Sequence, residues 1–358
     1  MYHGFRCSSG RSRVLYAAPV AERPEDLIPL PAPLAHLRRF PLDGALQLFD
    51  RRTGLTAICD GPETAHLRMR APRVVQFAIT NACNLACTFC SRDTAAESAW
   101  TAGDAFALLR DLSLRGTLEV AFGGGEPLVF KGFADLVRRL HEETELAVSL
   151  TTNGTAITDR LLPALVPHVG QIRLSVYDDV DHRPLVARLV AHRARFGVNW
   201  LVTPARLSRL EELLFDLLER GCRDVLLLSY NGRDRALHLA PTEGADLARR
   251  VRALGRALEG RMTLKLDVCW GERMETVPRL IEPGPCPAGR EFIVLTSDRR
   301  LAPCSFHHLS FPIATADDVL RAWEQERASL AAPARDPGCA RTPGLGLGAS
   351  SRSLPLAG

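Results

Sequence analysis

Three cysteines fall within eight residues, Cys83-Asn84-Leu85-Ala86-Cys87-Thr88-Phe89-Cys90, with the spacing C-x3-C-x2-C. Closely set thiolates are soft metal ligands. A cubane [4Fe–4S] cluster asks for one protein ligand on each of its four irons, so three cysteines leave one iron open to a small molecule. Zinc is the alternative, but zinc loops close four ligands and usually pair two such units or add histidines. No fourth ligand lies nearby in the chain. The spacing therefore predicts an iron–sulfur site with a reactive open iron, with zinc or chance clustering as the competing readings.

Downstream lie Gly123-Gly124-Gly125-Glu126-Pro127, Thr151-Thr152-Asn153-Gly154 and Leu174-Ser175-Val176-Tyr177-Asp178. Glycines permit unusual backbone angles and close approach of a ligand, and Pro127 stiffens the exit. Beside an acidic residue and a metal loop, the glycine run reads as a ligand cradle rather than a plain tight connection. In this order, and with Phe89 just before the third cysteine, the four segments resemble the signature of radical S-adenosylmethionine (SAM) enzymes over roughly residues 73–230. The resemblance implies that the glycine motif (Gly123, Gly124, Gly125, Glu126, Pro127) holds the methionyl amino group. It implies that Thr152 and Asn153 end the third strand and orient SAM, that Ser175 meets its carboxylate or ribose, and that Phe89 contacts the adenine. It also implies that Cys83, Cys87 and Cys90 hold the catalytic cluster while SAM chelates the fourth iron and yields a 5′-deoxyadenosyl radical.

These residues need a scaffold. Apolar runs of strand length occur at 74–80, 118–122, 147–152, 171–176, 198–202 and 224–229, with helical stretches between. Thr101–Asp104 and Ser208–Glu211 look like capping boxes, and Gly116, Gly197 and Gly221 lie where helices should end. Such alternation predicts parallel strands with crossover helices, an α/β partial (βα)6 TIM-like barrel. Every motif then falls near a C-terminal strand end, where barrels place their chemistry. A long amphipathic helix over 242–258 and a strand at 263–267 follow.

The expected domains are an irregular region over 1–72, the barrel over 73–260, a small cysteine-bearing module over 261–340 and a disordered tail over 341–358. Within the first, 24–33 is proline-rich and reads as extended, and 46–50 with 55–59 reads as a hairpin around Thr53-Gly54.

Cys269, Cys286, Cys304 and Cys339 form a second, dispersed set, with Cys286 and Cys304 flanking a hairpin over 292–296 and 301–303. They are similar to the auxiliary-cluster extensions of radical SAM peptide maturases, the SPASM and twitch domains. The chain departs from that pattern where Arg299 stands at the glycine usual five residues before the second hairpin cysteine. It also lacks the dense cysteine run of a second auxiliary cluster. One auxiliary [4Fe–4S] cluster is the expectation, with zinc or plain buried thiols as alternatives. Cys339 is the ligand that His307 or His308 would replace. Cys7, Cys59 and Cys222 read as unligated thiols, although Cys222 is also a candidate hydrogen-atom donor.

Composition narrows the class. The 358 residues are 46% apolar, and the formal charge of +4 is too small to argue for nucleic acid. Ten cysteines in a chain this long do not make a disulfide scaffold, which suits a reducing cytoplasm. Residues 1–13 lack the apolar core of a signal peptide, and no apolar run approaches bilayer length. A soluble cytoplasmic enzyme is expected, drawing electrons from a donor such as ferredoxin or flavodoxin. Its expected substrate is a ribosomally made peptide that is oxidatively cross-linked (RiPP maturation). A sugar, nucleotide or tetrapyrrole substrate is the alternative. A non-catalytic iron–sulfur sensor is the reading from another class.

Overall fold

The strand–helix alternation becomes one twisted sheet of ten strands in the computed structural model, which describes residues 23–51, 53–90, 92–274, 277, 286–334 and 339. Cys7, the polar start over 1–13 and the tail over 341–358 lie outside the described residues. The chain divides into two compact units. One holds the chain up to Phe49 together with Thr56–Arg68. The other holds Asp50–Leu55 and the chain from Met69 onward.

The first unit is more ordered than its composition suggests. Strands β1 (Arg38–Pro41), β2 (Ala45–Phe49) and β3 (Thr56–Asp60) form an antiparallel sheet, so the expected hairpin is present with one more strand beside it. Leu37, Leu46, Leu48 and Leu67 make its core, and Cys59 packs against them as an ordinary small side chain. The proline-rich stretch is not extended: Pro24–Leu27 and Ala32–Leu34 are 3-10 turns that begin on proline or follow it. Proline suits the first turn of a helix, where its missing N–H is not needed. The Arg39 guanidinium then donates to the carbonyls of Glu25, Asp26 and Ile28 at 2.8, 2.9 and 2.6 Å, satisfying the end of that turn.

In the second unit β4 (Val74–Thr80), α1 (Ala102–Arg115), β5 (Glu119–Gly124), α2 (Phe133–Glu143), β6 (Ala147–Thr152), α3 (Leu162–Leu165) and β7 (Gln171–Ser175) follow in order. Then come α4 (Arg183–Ala191), β8 (Phe196–Leu201), α5 (Pro204–Leu207), α6 (Leu210–Glu219), β9 (Asp224–Leu228), α7 (Pro241–Ala257) and β10 (Thr263–Leu266). Strands β4 to β10 lie side by side in chain order, all parallel, as a partial TIM-like barrel with β10 as a seventh strand. Alternate residues such as Val75, Phe77, Val120, Phe122, Ile172, Leu174, Val225 and Leu227 are buried, and Phe122 meets Phe133 of α2 edge-on at 5.2 Å. This burial of one face by crossover helices is what gives the strands their apolar period.

Three of the five expected local signals are realised and two are not; Gly221, at φ 95°, follows the end of α6 as expected. Thr101 caps α1 by accepting from the Asp104 N–H at 3.1 Å, and Gly116 ends that helix in the left-handed conformation at φ 116°. Ser208 does not cap: α5 precedes it and α6 starts at Leu210 with no side-chain cap. Gly197 lies inside β8 rather than at a helix end. A Cβ there would overlap the guanidinium of Arg173, so the glycine clears space for a buried cation.

That cation anchors the sheet interior. Arg173 donates to Asn199 Oδ1 at 2.9 Å, the Val198 carbonyl at 2.9 Å and Asp224 Oδ1 at 2.6 Å, and Lys265 reaches Asp224 Oδ2 at 2.6 Å. Burial alone would raise the Asp224 carboxyl, but Arg173 and Lys265 together hold it below the usual range. Its stabilisation is therefore present above the unfolded pKa and lost as pH falls through the depressed folded value. Arg173→Ala, which leaves Asp224 with Lys265 and the Gln171 amide at 3.2 Å, is expected to cost about 2–3 kcal/mol, below the 3–5 typical of a wholly unpaired buried partner. Urea unfolding at neutral pH measures it, and an unchanged midpoint would show the network to be inert.

After β10 the chain adds β11 (Phe292–Leu295), β12 (Arg300–Ala302), β13 (Phe311–Pro312), α8 (Ala316–Gln325) and α9 (Arg327–Leu330). The β11–β12 hairpin is the one expected between Cys286 and Cys304. It joins the barrel sheet, because β11 pairs in parallel with β4 from Phe292↔Val74 to Leu295↔Phe77. Arg299, in the turn of this hairpin, has left-handed backbone, with φ 57°. Left-handed backbone is costly for arginine. Its side chain offsets the cost by donating to the Ala99 carbonyl at 3.0 Å and Asp104 at 2.6 Å and by lying 4.5 Å from the Trp100 ring centre.

Candidate active site

The loop after β4 carries Cys83 and Cys87 half-buried and Cys90 exposed. The Cys90 N–H donates to the Cys87 carbonyl at 3.0 Å, and the Leu85 N–H points at Cys83 Sγ at 3.4 Å. Burial first, and then the neighbouring charges of Cys90, Asp179 and Cys83, push the Cys87 thiol up. A metal centre bound by such a loop would supply the positive charge that stabilises thiolate ligands. Among the described residues no three His, Cys, Asp or Glu side chains converge on a single metal ion. A four-iron cluster spreads its ligands over separate irons and does not ask for that convergence.

Glycines at the end of β5 let the cluster loop lie against the sheet. A Cβ on Gly124 would overlap the Thr80 carbonyl oxygen, and one on Gly125 would overlap the carbonyl of Ala82, whereas Gly123 has open space beside it. The close approach at Gly124 and Gly125 is chain against chain. Gly123 retains room for a ligand. The Gly125 and Glu126 N–H groups donate to the Thr80 and Ala82 carbonyls at 2.7 and 2.9 Å, locking the two loops together.

Glu126 is 1% exposed. Its carboxylate accepts from the Asn153 N–H at 2.7 Å, Thr152 Oγ1 at 2.8 Å and the Leu128 N–H at 3.0 Å, the last within the turn that Pro127 begins. Burial still raises this carboxyl above its ordinary value, with the three donors working against it. Asn153 in turn donates to Asn84 Oδ1 at 2.8 Å and sits 3.8 Å from Cys83 Sγ, while Asn84 donates to Thr155 Oγ1 at 2.7 Å. The ends of β5 and β6 thus hold the first cysteine by a continuous polar chain.

Tyr177 draws the remaining pieces together and was not singled out from the sequence, where it is one aromatic residue after a strand. Its ring stacks on Phe89 at 5.7 Å. Its hydroxyl, bonded to Ser175 and near Cys87, Cys83 and Glu126, is pushed up to about 12, chiefly by burial. Arg92 is a second such residue. It bonds Asn81 Oδ1 at 3.2 Å, and burial lowers its pKa while the nearby Cys90 opposes that. Beyond Tyr177 a cavity of about 460 Å³ is lined by Asp178, Asp179, His182, Trp200, Arg209 and Asp216 among others. Asp178 is paired there with Arg206 at 3.0 Å and Arg209 at 3.2 Å. Cys222 is fully buried, with its thiol toward the Asp224 carbonyl at 3.4 Å, at the N-terminal end of β9 and opposite the strand ends that carry the motifs.

The second cysteine set comes together across long sequence gaps. Cys269, Cys286, Cys304 and Cys339 line one cavity with His307, Asn231, Val268, Phe292 and Phe306. Burial first, then Asp267 and the other three cysteines, push the Cys269 thiol up. His308 stacks on His307 at 4.6 Å but is exposed.

The parallel barrel thus carries a cysteine loop after its first strand and polar groups at the next three strand ends, the arrangement expected from the sequence motifs. Residues 77–178 match the family described as the Radical SAM superfamily, whose members are enzymes that use a [4Fe–4S] cluster and S-adenosylmethionine. The chain is 27% identical to GTP 3′,8-cyclase of Chlorobaculum tepidum over 68% of this chain and 81% of that protein. It is 25% identical to PqqA peptide cyclase of Ruegeria pomeroyi over 70% and 73%. The fold is similar to SuiB of Streptococcus suis bound to precursor peptide SuiA, with a TM-score of 0.60, 19% identity and coverage of 71% of this chain and 65% of SuiB. Among the described residues no helix is long and apolar enough to cross a membrane.

Proposed function

We propose that the chain oxidatively modifies a ribosomally made peptide, forming a C–C or thioether cross-link, with a metal centre at Cys269, Cys286, Cys304 and Cys339 in addition to the SAM cluster. The observation that carries this reading is the gathering of those four cysteines into one cavity. An auxiliary iron–sulfur centre there would take the electron left on the substrate after hydrogen abstraction, which suits an oxidised product.

In this reading Cys83, Cys87 and Cys90 ligate the SAM cluster. When bound, that cluster and SAM supply the radical that takes a hydrogen atom from substrate. Asn153 and Asn84 fix the first ligand, while Glu126 fixes Asn153 and Thr152. Gly123 leaves the approach to the methionyl group open. Phe89 and Tyr177 form an aromatic wall suited to the adenine, and Ser175 orients the carboxylate or ribose. Burial of Glu126 and Tyr177 excludes water from a reaction that water would quench. A ferredoxin or flavodoxin supplies the electron, and residues 261–340 act as a reduced, twitch-like module.

The test is anaerobic turnover of the reconstituted enzyme with short precursor peptides encoded beside it. A cross-linked peptide formed in step with 5′-deoxyadenosine is expected. Stoichiometric peptide product without 5′-deoxyadenosine would end the proposal. The likeness to GTP 3′,8-cyclase keeps a small-molecule substrate as the second reading, favoured by turnover of a nucleotide in place of peptide.

A further inference from the structure

Asn231 lies just past β9 and is 3% exposed, yet its Oδ1 has no hydrogen-bond partner. A buried acceptor without a donor is destabilising and calls for an occupant. The cavity it lines is the one formed by the four C-terminal cysteines.

The direction of the amide is fixed. Asn231 Nδ2 donates to the Ser229 carbonyl and to Ser229 Oγ, both at 3.2 Å. Turning the amide over would set Oδ1 against that carbonyl with no proton between them. Nor does the Ser229 hydroxyl offer one, because its hydrogen goes to the Asp267 carboxylate at 3.1 Å. Asp267 is held in turn by the N–H groups of Ser229 at 2.9 Å and Trp270 at 3.2 Å, one residue beyond Cys269. Oδ1 therefore stays on the side of the amide away from Ser229, unpartnered, in a residue that lines the cysteine cavity.

Among the described residues, what could meet it there is narrow. Val268, Phe292, Pro303 and Phe306 in the wall have no polar side-chain atom to offer. Both His307 ring nitrogens are engaged, Nδ1 accepting from the Leu309 N–H at 3.0 Å and Nε2 donating to the Ala332 carbonyl at 3.2 Å. A water molecule needs two to four good polar partners, and thiols are poor ones. A cluster sulfide offers no proton and would repel the oxygen. A metal ion accepts both thiolate and carboxamide oxygen.

Resting on the metal-centre reading above, we infer that Asn231 is an oxygen donor to an iron of the C-terminal centre. It adds an oxygen donor beside the thiolates of Cys269, Cys286, Cys304 and Cys339. The strand end of the barrel thereby contributes to a centre whose other ligands all come from residues 269–339.

The test uses the full chain carrying Cys83→Ala, Cys87→Ala and Cys90→Ala, reconstituted anaerobically with iron and sulfide so that only the C-terminal centre reports. Asn231→Leu keeps the shape without the donor, and Asn231→Asp keeps the oxygen and adds charge. Iron content, the rate of iron loss to a chelator, the electron paramagnetic resonance spectrum of the reduced centre and its midpoint potential are measured. Asn231→Leu is expected to weaken iron retention about 10–100-fold. Asn231→Asp is expected to retain iron with an altered spectrum and a lower potential. Parent-like iron retention, spectrum and potential in both variants would overturn the inference while leaving the centre intact. If Asn231→Leu fails to fold, a parent-like spectrum and potential in Asn231→Asp suffices to overturn it. No iron in the parent with Asn231 intact would remove the metal-centre reading and this inference with it.

Discussion

Replacing Cys83, Cys87 and Cys90 together with alanine is expected to abolish SAM cleavage, reducing 5′-deoxyadenosine formation to background. The expected loss exceeds about 10³-fold, equivalent to more than about 4 kcal/mol of barrier. The loss follows from the loop itself. Its backbone is fixed by neighbouring strand ends, so the variant keeps the fold while losing every thiolate there. Iron analysis of the same protein separates the two cysteine sets. About four irons retained means that a cubane stands at Cys269, Cys286, Cys304 and Cys339. None retained means that the second set is structural or binds zinc, and the small-molecule reading moves ahead. Continued 5′-deoxyadenosine formation at the parent rate would refute the assignment of Cys83, Cys87 and Cys90 as ligands.

Gly125→Ala is expected to be nearly as damaging without removing any ligand. Its Cβ would overlap the Ala82 carbonyl and come within 2.5 Å of the Asn81 carbonyl, both backbone atoms that cannot swing aside. The cluster loop would have to lift from β5. Overpacking of this kind costs about 1–3 kcal/mol and occasionally more. The clash is with backbone, so the upper end applies. The resulting shift would break the hydrogen bond from the Glu126 N–H to Ala82. Thermal unfolding and iron retention measure the two consequences. Parent values for both would show that the loop relaxes freely, and the proposed locking of β5 to the cysteine loop would fall. Gly123→Ala is the matched control, since nothing lies within 4 Å of its added carbon.

The parts of this molecule legible in its sequence are those written locally. The spacing of Cys83, Cys87 and Cys90, the apolar strands and the Thr101 cap each depend on residues a few positions apart, and all appear in the structure. What was illegible depends on partners far along the chain. Gly197 looked like a helix end because its reason for being glycine is Arg173, one strand away. Gly124 and Gly125 read as a ligand cradle, yet the nearest obstacles to a side chain belong to the cysteine loop itself. Arg299 departs from the pattern in residue type, but its backbone is left-handed, the region glycine favours, and its side chain finds compensating partners on Ala99, Asp104 and Trp100. Tyr177 carried no signal beyond being aromatic, since its role comes from stacking on Phe89 and bonding Ser175. The first unit's sheet was only partly visible, because β1 reads as arginines and proline with little strand character.

The parallel pairing of β11 with β4 has a consequence for solubility. β4 is the strand that delivers the cysteine loop, and in the order β5-β4-β11 it would be an edge without the C-terminal hairpin. A seven-residue edge containing Val75, Phe77 and Ile79 presents a row of unpaired amides and carbonyls, the template on which chains join strand to strand. The hairpin between Cys286 and Cys304 covers that row from Val74 to Phe77, and β13, at the outer end of the sheet, is only two residues long with a proline. Short, proline-bearing edges are how natural sheets avoid pairing with one another. The segment that gathers the second cysteine set therefore also acts as the barrel's guard against self-association.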